Sequence, residues 1–224
     1  MPWIDQVSTL AHAWFGGQET GNAIADVLFG KVNPSGRLSV TFPKRLEDTP
    51  AFLTFGKGQR EILYGEGVFV GYRYYEKLQT RPLFYFGYGL SYSKFDYSNL
   101  QVPDSISFEG NDSKQFTVSV EVHNSGSRDG VETVQIYVQD VVCNFDRPRK
   151  ELKAFTKVFV RAGETVTAGV SLDKYAFSYW NEEHEQWLAE KGTFRVIVSR
   201  SANQEDEVLE KEVELKDDYL WQGL

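Results

Sequence analysis

The second half of the chain is punctuated so regularly that few folds remain open to it. From Ser91 onward, short segments of alternating apolar and polar residues recur at 95–102, 116–123, 131–141, 152–160, 165–172, 176–179, 194–199 and 208–215. Turn-forming residues separate most of them: Asn124-Ser125-Gly126, Asp129-Gly130, Ala162-Gly163-Glu164 and Lys191-Gly192. A two-residue period turns one face of each strand toward a core. Seven or eight such strands with turns between them predict an antiparallel β-sandwich. The polar segment 181–186 reads as a hairpin tip.

Before Leu90 the character differs. Residues 4–14 read as a short helix or helix–strand element, with apolar Ile4, Val7, Leu10 and Ala11. Ala13-Trp14-Phe15-Gly16-Gly17 reads as the end of a buried strand turning into a loop. Residues 19–29 place Ala23, Ile24, Val27 and Leu28 on one helical face, with polar Gln18-Glu19-Thr20 at the start and Gly30 as the stop. Asn33-Pro34-Ser35-Gly36 is a turn by composition. Leu38-Ser39-Val40-Thr41-Phe42 alternates and ends at Pro43, which predicts a strand. Strand, helix, turn and strand make one unit of an α/β layer. One unit cannot cover both faces of its sheet, so the remainder is expected from further chain or a partner. Residues 47–66 are loop-like, 68–75 are strongly aromatic, and 81–91 are too glycine-rich for a regular strand and read as a packed connector. The expected class is α+β: a partial α/β unit over 1–90, then an all-β immunoglobulin-like sandwich over 91–224.

Composition excludes several functions. Among 224 residues, 41% are hydrophobic and 15% aromatic, enough for a packed core. The 24 basic and 32 acidic residues leave a net charge of -8, which repels phosphate backbones and excludes nucleic acid as a partner. Cys143 is the only cysteine, so neither an intrachain disulfide nor a cysteine-built zinc site can form. His12, His123 and His184 lie far apart and show no ligand spacing; no metal or cofactor is expected. No run is long and apolar enough to span a bilayer, and Met1-Pro2-Trp3-Ile4-Asp5 is not a signal peptide.

Several motifs carry a chemical reading beside a plainer one. Gly16-Gly17-Gln18-Glu19-Thr20-Gly21 precedes a helix, where free N–H groups bind anions. It lacks the phosphate-loop lysine, and a tight turn is the stronger reading. Glu66 and Arg73 suit a buried ion pair. Glu66 as an acid/base carboxylate would need a second carboxyl about 5 Å away, and the sequence supplies none. Tyr175, Phe177, Tyr179, Trp180 and Trp187 could stack on sugar rings, but alternation favours the core, with Phe177 and Tyr179 on one face and Ala176 and Ser178 on the other. Glu182-Glu183-His184-Glu185 is a solvated turn. Asp140 and Asp146 flank Cys143 with oxygen ligands of the kind calcium takes, yet without EF-hand spacing. Asn111-Asp112-Ser113 is a glycosylation sequon, used only in a secreted protein.

The longer motifs resemble a known family. Trp14-Phe15-Gly16-Gly17-Gln18-Glu19-Thr20-Gly21-Asn22-Ala23-Ile24-Ala25-Asp26-Val27-Leu28-Phe29-Gly30, then Asn33-Pro34-Ser35-Gly36-Arg37-Leu38, resemble the late α/β-sandwich segment of family 3 β-glucosidases. The stretches 64–76 and 82–92 are similarly distinctive. Arg147-Pro148-Arg149-Lys150-Glu151-Leu152-Lys153-Ala154-Phe155 resembles the family's C-terminal fibronectin type III-like domain. The resemblance covers essentially the whole chain and is close to fungal members. It implies a retaining enzyme that removes terminal non-reducing β-D-glucosyl residues from β-glucosides and oligosaccharides. It also implies an Asp nucleophile on an N-terminal barrel and a Glu acid/base on the α/β domain, both expected upstream of Met1. No catalytic residue is therefore assigned to this chain, Glu66 included. Met1 reads as internal to a longer protein, and the chain is expected to be inactive alone and secreted as part of the parent enzyme. A non-catalytic carbohydrate-binding module and a structural interaction module are the rival readings.

Overall fold

The computed structural model describes residues 1–56, 58, 60–110 and 115–223. The sequon at Asn111 lies outside the described residues.

The regular punctuation after Ser91 becomes a two-sheet sandwich. One sheet orders β1 (Phe95–Gln101), β3 (Phe116–Asn124) and β6 (Thr165–Leu172). The other orders β2 (Ser105–Ile106), β10 (Glu207–Leu215), β9 (Gly192–Ser199), β4 (Gly130–Asp140) and β5 (Glu151–Val160). All pairings are antiparallel except the short β2–β10 contact. Alternate residues of the long strands meet between the sheets: Val118, Val120 and Val122 from β3, Val134, Ile136 and Val138 from β4, and Val196 and Val198 from β9. Phe177 closes one end, its ring 5.0 Å from Phe194 and 5.4 Å from Phe116. Emptying such a site costs about 3–5 kcal/mol.

A third, small sheet caps the sandwich, ordered β11 (Tyr219–Trp221), β8 (Gln186–Ala189) and β7 (Tyr179–Asn181). Here the sequence reading needs correction. Residues 176–179 are not a strand. The Asp173 side chain accepts from the Tyr175 N–H and starts a 3-10 turn at Lys174–Ala176. Ala176, Phe177 and Ser178 are then buried in succession, so the two-face alternation fails. Strands β2, β8 and β11 are two to four residues long, too short for periodicity to reveal.

The N-terminal stretch holds little regular structure. Helix α1 (Thr20–Leu28) forms where its apolar spacing predicts. Residues 4–14 contain only a 3-10 turn at Ile4–Gln6. The expected buried strand end at Ala13–Phe15 is absent: Trp14 is half exposed, with a positive φ of 49°, and Phe15 is fully exposed. Residues 38–42 form no full strand. They run against 84–88 through Leu38 N–H to Tyr88 O and Phe42 N–H to Phe84 O (each 2.9 Å), with a single bridge at Phe42–Phe84. Among the described residues no further strand flanks this bracket, so no ladder extends. The aromatic run yields a short helix, α2 (Tyr72–Lys77).

This stretch is fastened to β4 and β5 by polar contacts. Asn33 Oδ1 accepts from Ser91 Oγ (2.9 Å) and Tyr92 N–H (2.8 Å), while its amide donates to Asp129 O (3.2 Å). Thr133 Oγ1 donates to Ser35 O at 3.1 Å. Arg37 pairs with Glu132 at 2.7 Å, and Glu132 also accepts from Tyr97 Oη at 2.7 Å. Gln135 is wholly enclosed, donating to Gly87 O (3.0 Å) and Arg200 O (2.7 Å) and accepting from Tyr137 Oη (2.9 Å). Gly87 has a φ of 80°, which disfavours side chains, and a Cβ there would collide with Gln135 Oε1. Gly87→Ala should therefore strain the backbone and displace a fully bonded amide. We expect a loss of about 2 kcal/mol or more in urea unfolding, against a change within about 0.5 kcal/mol for Gly36→Ala, an exposed glycine with ordinary backbone and open space at its Cβ.

Candidate functional site: the charged junction and the tryptophan row

Helix α2 presents Arg73 and Glu76 to the start of β5, where the Arg147–Lys153 segment answers with alternating charge. Arg73 pairs with Glu151 at 2.9 Å, not with Glu66 as the sequence suggested. Glu66 lies seven residues before Arg73 on a loop, whereas α2 turns the guanidinium toward β5. Glu66 Oε2 is shielded and has no hydrogen-bond donor among the described residues. Glu151 also takes Arg147 at 3.0 Å and Lys153 at 3.3 Å. Tyr72 Oη accepts from the Leu152 N–H at 2.8 Å, with its ring stacked 5.0 Å from Phe86.

A second knot surrounds Lys150, whose side chain is completely buried. Its ammonium lies 2.6 Å from Glu207 and 3.9 Å from Glu76, and 5.1 Å from the Tyr137 ring centre. Arg149 reaches Glu207 at 2.6 Å and Glu76 at 3.7 Å. Glu207 holds both cations closely, whereas Glu76 meets them only at 3.7 and 3.9 Å. Burial accordingly pushes the Glu76 carboxyl above its ordinary range despite the cations nearby. Burial also pushes the Lys150 ammonium down, with Glu207 opposing. Glu151 differs: burial pushes it up, but Lys153, Arg73 and Arg147 together outweigh that and hold it low.

Asp140, Cys143 and Glu190 offer ligand atoms within 4.8 Å of one another. Sequence reading missed Glu190 because it lies far from Cys143 in sequence and is brought to it only by the fold. Asp146 is drawn away to Lys77. Asp140 is already engaged by Arg147 at 3.3 Å, and burial raises the Cys143 thiol, which disfavours a metal-binding thiolate. A groove of about 470 Å³ between β5 and β6, lined by Leu152–Thr156 and residues 169–171, has no carboxylate on its wall. Neither has a smaller one of about 250 Å³ lined by Pro103, Ser105, Ile106, Ser107, Phe108, Phe116 and Lys216.

The aromatic candidates divide. Phe177 is core, and Tyr179 packs 4.2 Å from Phe145, ring centre to ring centre. Trp180 and Trp187 face each other across β7 and β8, and Trp187 faces Trp221 across β8 and β11. Tyr175 meets Trp221 at 4.5 Å. Trp221 escaped sequence reading because a three-residue strand gives no pattern. The Gly16–Gly21 turn behaves plainly, with Thr20 Oγ1 donating to Gly17 O at 2.6 Å.

Opposite pKa shifts give the junction a testable pH signature. A raised Glu76 contributes stability below its ordinary value near 4.5 and loses it as pH climbs through its higher folded value. A lowered Glu151 contributes stability above that ordinary value and loses it as pH falls through its lower folded value. Thermal melts between about pH 3 and 7 should show Glu151→Gln destabilised by about 3 kcal/mol at neutral pH, where buried arginines lose their partner, and flatter on the acid side. Glu76→Gln should instead gain relative to wild type as pH rises; parallel curves for all three proteins would contradict the assignment.

Comparison with known proteins places this geometry. Residues 1–92 match the glycosyl hydrolase family 3 C-terminal domain, and residues 132–202 match the fibronectin type III-like domain. All of the chain is 44% identical to a quarter (25%) of a probable β-glucosidase K of Emericella nidulans. Likewise, 95% of the chain is 47% identical to 28% of thermostable β-glucosidase B of Acetivibrio thermocellus. The crystal structure of a β-glucosidase from Kluyveromyces marxianus in complex with glucose superposes on all of the chain, with a TM-score of 0.90, 43% identity and 26% of that chain covered. The chain thus spans about a quarter of the length of these relatives. With both domain models in order and β-glucosidases aligned along its whole length, this α+β chain belongs to glycosyl hydrolase family 3, as the family's C-terminal domain followed by a fibronectin type III-like sandwich.

Proposed function

We propose that this chain is the C-terminal part of a retaining β-glucosidase acting on terminal non-reducing β-D-glucosyl residues, and that it supports catalysis without performing it. The observation that carries this reading is the bare apolar surface before residue 70. Helix α1 buries none of its residues, and Leu28, Phe29, Leu53 and Phe55 are exposed alongside Phe15. A surface of that kind marks an interface. The relatives' greater length supplies an occupant: upstream chain that completes the α/β layer. The nucleophile and acid/base belong to that upstream chain, and glucosides meet this chain only within the whole enzyme. The division into residues 1–90 and 91–224 is part of the proposal, supported by the change from irregular to strand-rich structure. Secretion with the parent enzyme is likewise part of it.

In this role the junction is the working part. Arg37–Glu132, Arg73–Glu151 and the Lys150 knot fix the α/β remnant rigidly against the sandwich. Buried, shared charges of this sort fix geometry more than they add stability. Positioning matters because displacements near 1 Å at a glycosidase site cost orders of magnitude in rate.

The purified chain should show no turnover of a chromogenic β-glucoside, and should restore turnover when co-expressed with the upstream three quarters of a close relative. Leu28→Asp with Phe29→Asp should leave the chain's own unfolding within about 0.5 kcal/mol and abolish the restoration. Turnover by the chain alone that Glu66→Gln removes would overturn the proposal.

A further inference from the structure

The small end sheet carries more aromatic surface than a cap requires. Trp180, Trp187 and Trp221 occupy one cross-strand row, one from each strand, and Tyr175 extends it beyond β11. Successive ring centres lie 6.0, 5.7 and 4.5 Å apart. The middle of the row is an anchor: Trp221 is buried, stacked on Trp187, and its indole N–H donates to Ser178 Oγ at 3.0 Å. Lys174 lies 4.2 Å over the Trp221 ring. The two ends are open, Trp180 at 50% and Tyr175 at 46% exposure.

The exposed end is also held still. Trp180 precedes the hairpin tip, where Asn181 Oδ1 accepts from the His184 N–H at 2.8 Å and Glu185 takes a strained φ of 49°. A half-exposed indole set edge-on against Trp187, which itself stacks on Trp221, is placed for contact and not for folding alone. Charge narrows the ligand. Glu182, Glu183 and Glu185 are exposed at the tip and repel anionic polymers and phosphates. A neutral ligand with apolar ring faces remains, and a row open at both ends suits a chain more than a single ring.

We propose that the Trp180–Trp187–Trp221–Tyr175 row is a glycan-binding surface for a linear, neutral β-glucan. The choice of β-glucan rests on the β-glucosidase reading above; the surface itself does not. Its role is to hold polymeric substrate beside the enzyme that trims it.

The test is native affinity electrophoresis of the whole chain through gels containing barley mixed-linkage β-glucan, pullulan as an α-glucan, or polygalacturonate as an anionic polymer. The expected result is retardation by β-glucan alone, reduced at least threefold in Trp180→Ala, reduced less in Trp180→Phe, and reduced in Tyr175→Ala, with melting temperatures unchanged. Absence of retardation overturns the proposal, as does retardation that both alanine variants retain. Equal retardation by pullulan overturns the β-glucan assignment. Dimers formed along the free edge of β7, seen by size exclusion and lost in Trp180→Ala without glucan binding, would assign the row to self-association and overturn it as well. The assay needs no turnover, so its failure is distinct from failure of the complementation above.

Discussion

Strand β4 must be buried on both faces, and the rest of the molecule is arranged to make that possible. One face supplies Val134, Ile136 and Val138 to the sandwich interior. The other carries Thr133, Gln135 and Tyr137, which meet the N-terminal stretch. Buried polar groups are tolerated only when bonded. Thr133 and Gln135 find partners at Ser35 and Gly87, on segments that have no regular structure of their own, and Tyr137 donates to Gln135. The stretch 84–92 looks irregular because its carbonyls and amides are committed to β4 and to the 33–42 segment instead of to a ladder. The family motifs around Asn33, Gly87 and Arg149 are therefore, in this chain, mainly fastenings.

Electrostatics at the same seam follow the local dielectric. Glu207 and Glu151 are each multiply bonded and hold their cations in place. Glu76 is as deeply placed but contacts its cations only beyond hydrogen-bond range, so desolvation dominates. One junction thus contains carboxylates pulled in opposite directions, decided by tenths of a nanometre and not by sequence.

Long strands were legible because their side chains alternate for eight residues or more; β6 matches its sequence reading residue for residue. Helix α1 was legible through Ala23, Ile24, Val27 and Leu28. The failures share a cause. Phe177 belongs to a 3-10 turn whose burial is set by tertiary packing, which no local period encodes. Residues 38–42 have a strand's pattern but only one bridged partner. Arg73 pairs in the sequence reading with Glu66 of the same motif, whereas Glu151 is its partner in space. Trp221 joins the aromatic row from a three-residue strand near the chain's end. Identity of the family was legible in long ordered motifs; the row, the two knots and Glu190 required coordinates.

The parallel contact of β2 with β10 joins Ser105 to Glu214 and Ile106 to Leu215. Strand β10 is also the neighbour of β9, so the larger sheet is zipped shut by the last strand of the sandwich to leave the ribosome. Until then the inner faces of β3 and β4 stay wet and adhesive, as does the apolar surface ahead of them. Biogenesis of this polypeptide is consequently a race between late closure and unwanted association, and a stop codon ahead of Glu207 would remove β10 and lose it outright.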